Sequence, residues 1–234
     1  MTQHPSSVRT VLVTGFEPFD GMPGNPSELA AVAAARAFPA PAEFVSRGGF
    51  SSDDAVLDGS AGLSRSLQVV ARILPVAFDQ APKALVESIR EVRPWAVVSL
   101  GVAVGRSHLC VERVALNCAD ARIPDNTGRQ PVDELIDPAG PAAYFTTLPM
   151  RRMLTAWEAE GLPGRISNSA GTYVCNRVMF EGLHRAEELG VMRVGFLHVP
   201  PTPGLWRDQQ DPTLEQEQID RGVVSAVQTL AAVD

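Results

Sequence analysis

The 234-residue chain has only three cysteines, Cys110, Cys118 and Cys175, and their spacing fits neither a disulfide framework nor a zinc site. It has no run of about 18 apolar residues and no apolar stretch at its start, so we expect neither a membrane span nor a secretory signal. A net charge of -7 without a cluster of Lys and Arg argues against nucleic acid or an anionic membrane as a partner. These absences predict a cytoplasmic protein with reduced thiols, no metal, and a small molecule or peptide as its substrate.

Strand-like and helix-like segments alternate along the chain, and 45% of its residues are hydrophobic, enough for one sizeable core. The predicted strands and extended segments are 10–15, 42–46, 69–76, 95–100, 108–117, 165–167 and 192–199. The predicted helices are 25–38, 78–92, 148–161, a helix from about Cys175 to Leu189 that Gly190 stops, and 212–233. This order predicts one α/β domain over residues 1–234, in which helices sandwich a twisted, largely parallel mixed sheet. A stretch rich in Gly, Ser and Asp at 48–66 is predicted to be a surface loop.

Cys175 lies where one of these helices is predicted to begin, because the apolar residues that follow it recur at helical spacing. The start of a helix offers unpaired N–H groups and a partial positive charge. Both favour a thiolate, so we expect a pKa for Cys175 below its ordinary value, as in a nucleophile. Simple packing is the alternative, since cysteine is among the most buried residue types.

A thiolate nucleophile usually needs an imidazole beside it, and the chain has four histidines. His4 lies in the N-terminal tail, and His184 is predicted to face the other side of the helix, which leaves His108 and His198. The helix after Cys175 climbs about 21 Å and the next strand returns about 23 Å. His198 should therefore be level with Cys175 at the carboxyl edge of the sheet, although a histidine that ends a strand is often only structural.

Glu112 is the only charged residue on an otherwise apolar face of the segment 108–117. A buried carboxylate needs a partner, because an unpaired charge is costly to bury. The partner is either an arginine in a structural salt bridge, Arg106 or Arg122, or His198, which Glu112 would then orient.

Four motifs, in order, resemble the pyroglutamyl peptidase I family of cysteine peptidases, also called pyrrolidone-carboxylate peptidases. They are "VLVTGFEPFDG" with "NPS", "ERVALNCADARIPDN", "SNSAGTYVCN" and "GFLHVPPTP". The resemblance covers nearly the whole chain and implies Glu112, Cys175 and His198 as the catalytic triad. It further implies a phosphorylase/hydrolase-like α/β fold, no metal or cofactor, and a homo-oligomer, either a tetramer or a dimer.

The same resemblance implies that the chain removes N-terminal pyroglutamate from peptides by thiolate attack and hydrolysis of the acyl-enzyme. Phe16, Phe19 and Tyr173 would form aromatic walls around the pyroglutamyl ring, and Asn25 would be a polar contact, although its place as a helix N-cap already explains it.

Arg122 matches a family arginine near the site and is expected to help with the oxyanion. The equally open alternative is an ion pair with Asp120, Asp125 or Glu112.

The chain departs from the family pattern at several positions. Val102 and Val104 occupy the "GVAVGR" loop, where Gln and Gly are usual, and a valine in place of a glycine restricts the backbone beside the expected ring pocket. Arg177 replaces a common histidine, and Asp20 stands where glycine is usual. Two alternatives therefore remain, a cysteine amidase that acts on another small amide and a catalytically idle homologue that binds pyroglutamyl ligands.

Overall fold

A computed structural model describes residues 8–40, 66–205 and 212–233 of the chain. The predicted strand at 42–46 and the predicted surface loop up to residue 65 lie outside these ranges, so both remain predictions. The strands are β1 (Arg9–Phe16), β2 (Leu67–Leu74), β3 (Ala96–Val102), β4 (Leu109–Glu112), β5 (Val114–Leu116), β6 (Ala143–Phe145), β7 (Gly164–Ser167) and β8 (Arg193–Val199). The helices are α1 (Pro26–Ala37), α2 (Ala81–Val92), α3 (Met150–Ala159), α4 (Val174–His184) and α5 (Gln216–Gln228), and a 3-10 turn follows at Thr229–Ala232. No helix in the described ranges is long and apolar enough to cross a membrane.

Six strands form the central sheet in the order β2-β1-β3-β8-β4-β7. The first four are parallel to one another, whereas β4 runs antiparallel to β8 and parallel to β7. The prediction of a largely parallel mixed sheet is thus confirmed. Strands β5 and β6 form a separate antiparallel pair.

Two apolar layers cover the sheet, because alternate residues of each strand point to opposite faces. In β1, Val11 and Val13 face α1, α3 and α5, while Leu12 and Phe16 face α2 and α4. Fully burying such a side chain contributes roughly 1.5 to 3 kcal/mol. Helix α4, which contains Cys175, therefore packs on the same face as Phe16.

Strands β1 and β3 separate at their carboxyl ends. Their pairing stops at Thr14 and Ser99, after which β1 follows β2 as far as Phe16 and β3 follows β8 as far as Val102. The chain passes from β1 to β2 on one side and then to β3 on the other, so this gap is a topological switch point. Crevices of this kind are where open α/β sheets place their ligands.

The predicted extended segment 108–117 is divided between two sheets. Arg113 marks the break, because its N–H donates to the Ser167 carbonyl and its own carbonyl accepts from Thr146. Glu112 therefore ends a strand of the main sheet, and the residues after Arg113 pair with β6. The sequence interpretation missed β6, which is only three residues long and follows a segment rich in Pro and Gly.

Helix α4 begins at Val174 as predicted, but the expectation that it continues to Leu189 is wrong, since it ends at His184. The Ala186 N–H donates to the Leu183 carbonyl, which tightens the chain out of the α-helical pattern. One further turn then closes at Gly190, whose φ of 68° suits glycine.

Asn176 joins the start of α4 to the segment that follows Glu112. It is fully buried, and its Oδ1 accepts from the Leu116 N–H at 2.8 Å. Its Nδ2 donates to the carbonyls of Leu116 and Cys118 at 2.9 and 3.0 Å. The residue after Cys175 thus fixes the helix start against the neighbouring chain.

We expect Asn176→Ala to lower the free energy of unfolding by about 2 to 4 kcal/mol, because it leaves several buried backbone groups without partners. Urea unfolding followed by circular dichroism measures the change. Asn168→Ala is the matched control, since Asn168 is exposed and makes one side-chain hydrogen bond, to Arg113. Equal effects of the two substitutions would contradict the role of Asn176.

Candidate active site

Cys175 is the second residue of α4, so its backbone N–H has no partner within the helix. The N-cap residue, Tyr173, makes no side-chain capping hydrogen bond, which leaves the N–H groups of the first turn uncapped. The sulfur lies against Gly101 on β3, where a Cβ would come within 2.8 Å of Sγ and 2.9 Å of the Phe196 ring. A residue without a side chain at position 101 therefore lets the thiol approach the sheet.

His198 lies on β8 directly beside Gly101, its partner in the parallel register with β3. Its ring packs on Phe196, with centroids 4.8 Å apart, and its Nδ1 lies 2.8 Å from Oε1 of Glu112. That contact leaves Nε2 free to accept a proton. The Cys175 sulfur and His198 thus both lie next to Gly101, near the carboxyl edge of the sheet as predicted, although no hydrogen bond joins them among the described residues.

Glu112 is 0% exposed and gathers two donors on one oxygen. Oε1 lies 2.8 Å from His198 Nδ1 and 2.7 Å from Arg106 Nη1. The two alternatives for Glu112, a salt bridge to Arg106 and a contact that orients His198, therefore both occur.

The pKa of Glu112 reflects two opposing influences. Burial raises it, but the hydrogen bond with His198, followed by Ser167 and Arg106, outweighs burial, so the pKa lies below its ordinary value. Ser167 lies opposite Glu112 in the register, although its hydroxyl donates to the Ser169 carbonyl at 3.2 Å. Glu112 is therefore a carboxylate at neutral pH.

The pKa of Cys175 differs from the expectation based on its helix position. Burial, aided by the charge of Glu112, raises the pKa of the thiol to about 12, although the residue as a whole is only half-buried. The positive end of a helix typically stabilises a negative charge by about 1 kcal/mol or less, which is too little to offset the cost of removing the thiolate from water. The resting thiol is therefore protonated, and a base must remove its proton.

A pocket with Cys175 in its wall lies in the crevice between β1 and β3. Its empty space is about 300 Å³, including the open mouth. It is lined by Phe16, Phe19, Asn25, Val76, Val102, Tyr173, Val174 and Cys175. The four residues predicted to contact substrate thus line one pocket together with the candidate nucleophile. Its small size and mainly apolar wall suit a compact, uncharged group.

The two polar side chains of the pocket wall are held by the protein itself. Asn25 caps α1, since its Oδ1 accepts from the N–H and the hydroxyl of Ser27, and its Nδ2 donates to the Glu17 carbonyl. The Tyr173 hydroxyl donates to the Pro124 carbonyl at 3.1 Å, and burial raises its pKa to about 12. The wall is therefore preorganised by hydrogen bonds that do not depend on a ligand.

The sequence interpretation missed Val76 and Val174 as pocket residues. The signal for Val76 was its place just after β2, at the same sheet edge as Phe16, and Val174 directly precedes the candidate nucleophile, Cys175. Arg122 is exposed, and its guanidinium makes no ion pair with Asp120, Asp125 or Glu112 in the described part of the chain. Its expected help with the oxyanion stays a prediction.

The departures from the family pattern have different consequences. Val102 lines the pocket, whereas Val104 is 37% exposed in a turn whose left-handed position is taken by Gly105, with φ of 78°. Asp20 adopts a φ of 50°, a conformation that Asp tolerates better than most residues. Arg177 forms an i,i+4 ion pair with Glu181 on α4.

A sheet edge that brings a thiol, an imidazole and a buried carboxylate together is typical of cysteine hydrolases. A family model described as pyroglutamyl peptidase matches residues 54–233. The pyrrolidone-carboxylate peptidase of Pseudomonas fluorescens SBW25 is 40% identical over 220 residues, which cover 94% of this chain and 92% of that protein. The protein of the same name from Escherichia fergusonii is 39% identical over 228 residues, 97% of this chain and 95% of that protein.

Solved structures agree with this match. Pyroglutamyl peptidase I of Bacillus amyloliquefaciens has a TM-score of 0.80 and 32% identity, with 96% of this chain and 97% of that chain covered. A mutant pyrrolidone carboxyl peptidase of Pyrococcus furiosus has a TM-score of 0.79 and 35% identity, with coverage of 96% and 100%. The chain belongs to the pyroglutamyl peptidase family, which is a family of cysteine peptidases.

Alkylation by iodoacetamide at pH 7 tests whether His198 serves the Cys175 thiol. Because burial holds that thiol in its protonated form, we expect His198→Ala to lower the alkylation rate of Cys175 about tenfold or more. Cys118 is the internal reference, since trypsin places it in the peptide 114–122 and Cys175 in 166–177. The rate ratio of Cys175 to Cys118, measured by mass spectrometry, should fall; an unchanged ratio would contradict the pairing.

Proposed function

We propose that the chain hydrolyses the amide bond after an N-terminal pyroglutamate, with Cys175 as nucleophile, His198 as base and acid, and Glu112 as the group that orients His198. One observation carries this proposal: the pocket lined by Phe16 and Tyr173 also has Cys175 in its wall, at the carboxyl edge of the sheet. A compact acyl group in that pocket would present its carbonyl to the thiol.

The reaction begins with a proton transfer. Glu112 Oε1 accepts a hydrogen bond from the Nδ1–H of His198, which fixes the tautomer that leaves Nε2 free. Nε2 takes the thiol proton while Sγ attacks the carbonyl carbon, so a neutral thiol with a raised pKa reacts without a preformed thiolate. Catalytic hydrogen bonds often shorten when substrate binds, which fits the missing contact between thiol and imidazole.

The uncapped start of α4 is suited to the oxyanion that forms next. The Cys175 N–H lacks an intrahelical partner, and N–H groups at a helix start attract negative charge. An oxyanion donor of this kind is typically worth about 2.7 to 4 kcal/mol. His198 then protonates the leaving amine, and afterwards it activates the water that hydrolyses the thioester and releases pyroglutamate.

The pocket explains why an N-terminal pyroglutamate is preferred to an ordinary N-terminus. A free peptide amine is charged, and the apolar wall formed by Val76, Val102 and Val174 would strip its water without offering a counter-charge. The pyroglutamyl ring is neutral, flat and compact. Aromatic side chains from Phe16, Phe19 and Tyr173 suit the faces of such a ring.

Two wider expectations belong to the same proposal. A cytoplasmic location is supported by the three cysteines, all unpaired. A homo-oligomer, tetramer or dimer, is supported by the family resemblance, and exposed Phe145 and Met192 are candidate contact residues.

Release of fluorophore from pyroglutamyl-aminomethylcoumarin tests the proposed activity, with alanyl- and prolyl-aminomethylcoumarin as substrate controls. We expect the wild type to cleave only the pyroglutamyl compound and Cys175→Ala to lose that activity by a factor of about 10³ or more. Cys118→Ala is the matched variant and should retain full activity. A folded wild type without turnover would contradict the proposal and would favour either another small amide, admitted by Val102 in the pocket wall, or a binding role without catalysis.

A further inference from the structure

Arg106 reaches the catalytic carboxylate from the turn that follows β3. Gly105 provides the left-handed residue of this turn, and the Arg106 N–H donates to the Ala103 carbonyl at 3.4 Å. The Arg106 side chain then extends over Glu112. The Arg106 side chain is 31% exposed, whereas the side chain of Glu112 is 0% exposed. Arg106 thus lies between the buried charge and solvent.

The guanidinium and the imidazole compete for a single carboxylate oxygen. Arg106 Nη1 and His198 Nδ1 are 2.7 and 2.8 Å from Oε1, whereas Oε2 has no hydrogen-bond partner in the described residues. Arg106 places a permanent positive charge on Oε1, the same oxygen that His198 Nδ1 contacts. A second positive charge on His198 would therefore gain little, which favours the neutral imidazole.

Few other ionisable groups face this imidazole. From β4 these are Glu112 and Cys110, the latter opposite His198 in the register, and from α4 there is Cys175. Cys110 is buried, and burial raises the pKa of its thiol, so it stays neutral. Among the described residues, Arg106 is thus the one permanent cation in contact with Glu112.

We propose that Arg106 is a positioning residue that acts through Glu112 to keep His198 uncharged and ready to accept the thiol proton. This inference rests on the proposed catalytic function only for its effect on rate. The protonation of His198 is a property of the free enzyme and does not depend on the substrate.

The test is an NMR titration of the His198 imidazole in the wild type, Arg106→Gln and Arg106→Lys. In Arg106→Gln, His198 should take up its proton at a pH higher by about one unit, because Glu112 has lost its other counter-charge. Arg106→Lys retains the charge and should titrate within a few tenths of a unit of the wild type. The acid limb of kcat/KM should shift by the same amount in Arg106→Gln, with activity about tenfold lower near pH 6 and largely restored at pH 8.

Arg185→Gln is the control, since Arg185 contacts two carboxylates, Glu181 and Glu188, away from the triad. Circular dichroism verifies that each variant is folded. A folded Arg106→Gln whose His198 titrates as in the wild type would overturn the proposal, and so would lost activity without a shift of the acid limb. A wild-type His198 that is already protonated at pH 7 would overturn it without any variant. If the wild type lacked peptidase activity but His198 titrated as expected in the wild type and the two Arg106 variants, the proposed function would be refuted and this inference would stand.

Discussion

The fully buried carboxylate of Glu112 is the constraint on which the arrangement of the site depends. A charge held away from water is tolerated only if donors surround it, and here His198 and Arg106 share one of its oxygens. Satisfying this charge fixes the tautomer and direction of the imidazole. The acidic pKa of Glu112 and the proposed basic role of His198 are therefore two consequences of one buried interaction.

The topology of the sheet supplies the other half of the site. Because β1 and β3 separate beyond Thr14 and Ser99, a crevice opens at the carboxyl edge, and the start of α4 lies over it. Gly101 lets the Cys175 thiol reach the strand next to His198. The proposed nucleophile is thus placed by close packing, and the same burial raises the pKa of the thiol to about 12. The proposed attack by this thiol then requires a base, and the buried carboxylate of Glu112 would serve by orienting His198 as that base.

Much of the fold, and the closeness of Cys175, His198 and Glu112, could be predicted from the sequence. The lengths of a helix and of the strand that follows it determine how far each residue lies along the strand direction. The spacing between Cys175 and His198 therefore predicted that they reach the same edge of the sheet, without any knowledge of neighbouring strands. The order of strands across the sheet is set by long-range pairing. For this reason the splitting of segment 108–117 and the sharing of one carboxylate oxygen by two donors were not foreseen.

The pKa of Cys175 was predicted in the wrong direction, because the desolvation of the thiol depends on packing from several elements, whereas the electrostatic effect of the helix start depends on local sequence. The end of α4 was misplaced because the tightening at Leu183 leaves no clear signal in the apolar pattern.

The most direct test of the central claim is to trap the covalent intermediate. Rapid acid quenching of the wild type during turnover of a pyroglutamyl ester, followed by tryptic digestion and mass spectrometry, locates the acyl group. The account predicts a pyroglutamyl thioester on the peptide 166–177, at Cys175, which disappears when the acyl-enzyme is left to react with water. An acyl group found on another residue during turnover would contradict the account. So would turnover of the ester in which no acyl-enzyme is detected during the pre-steady-state phase.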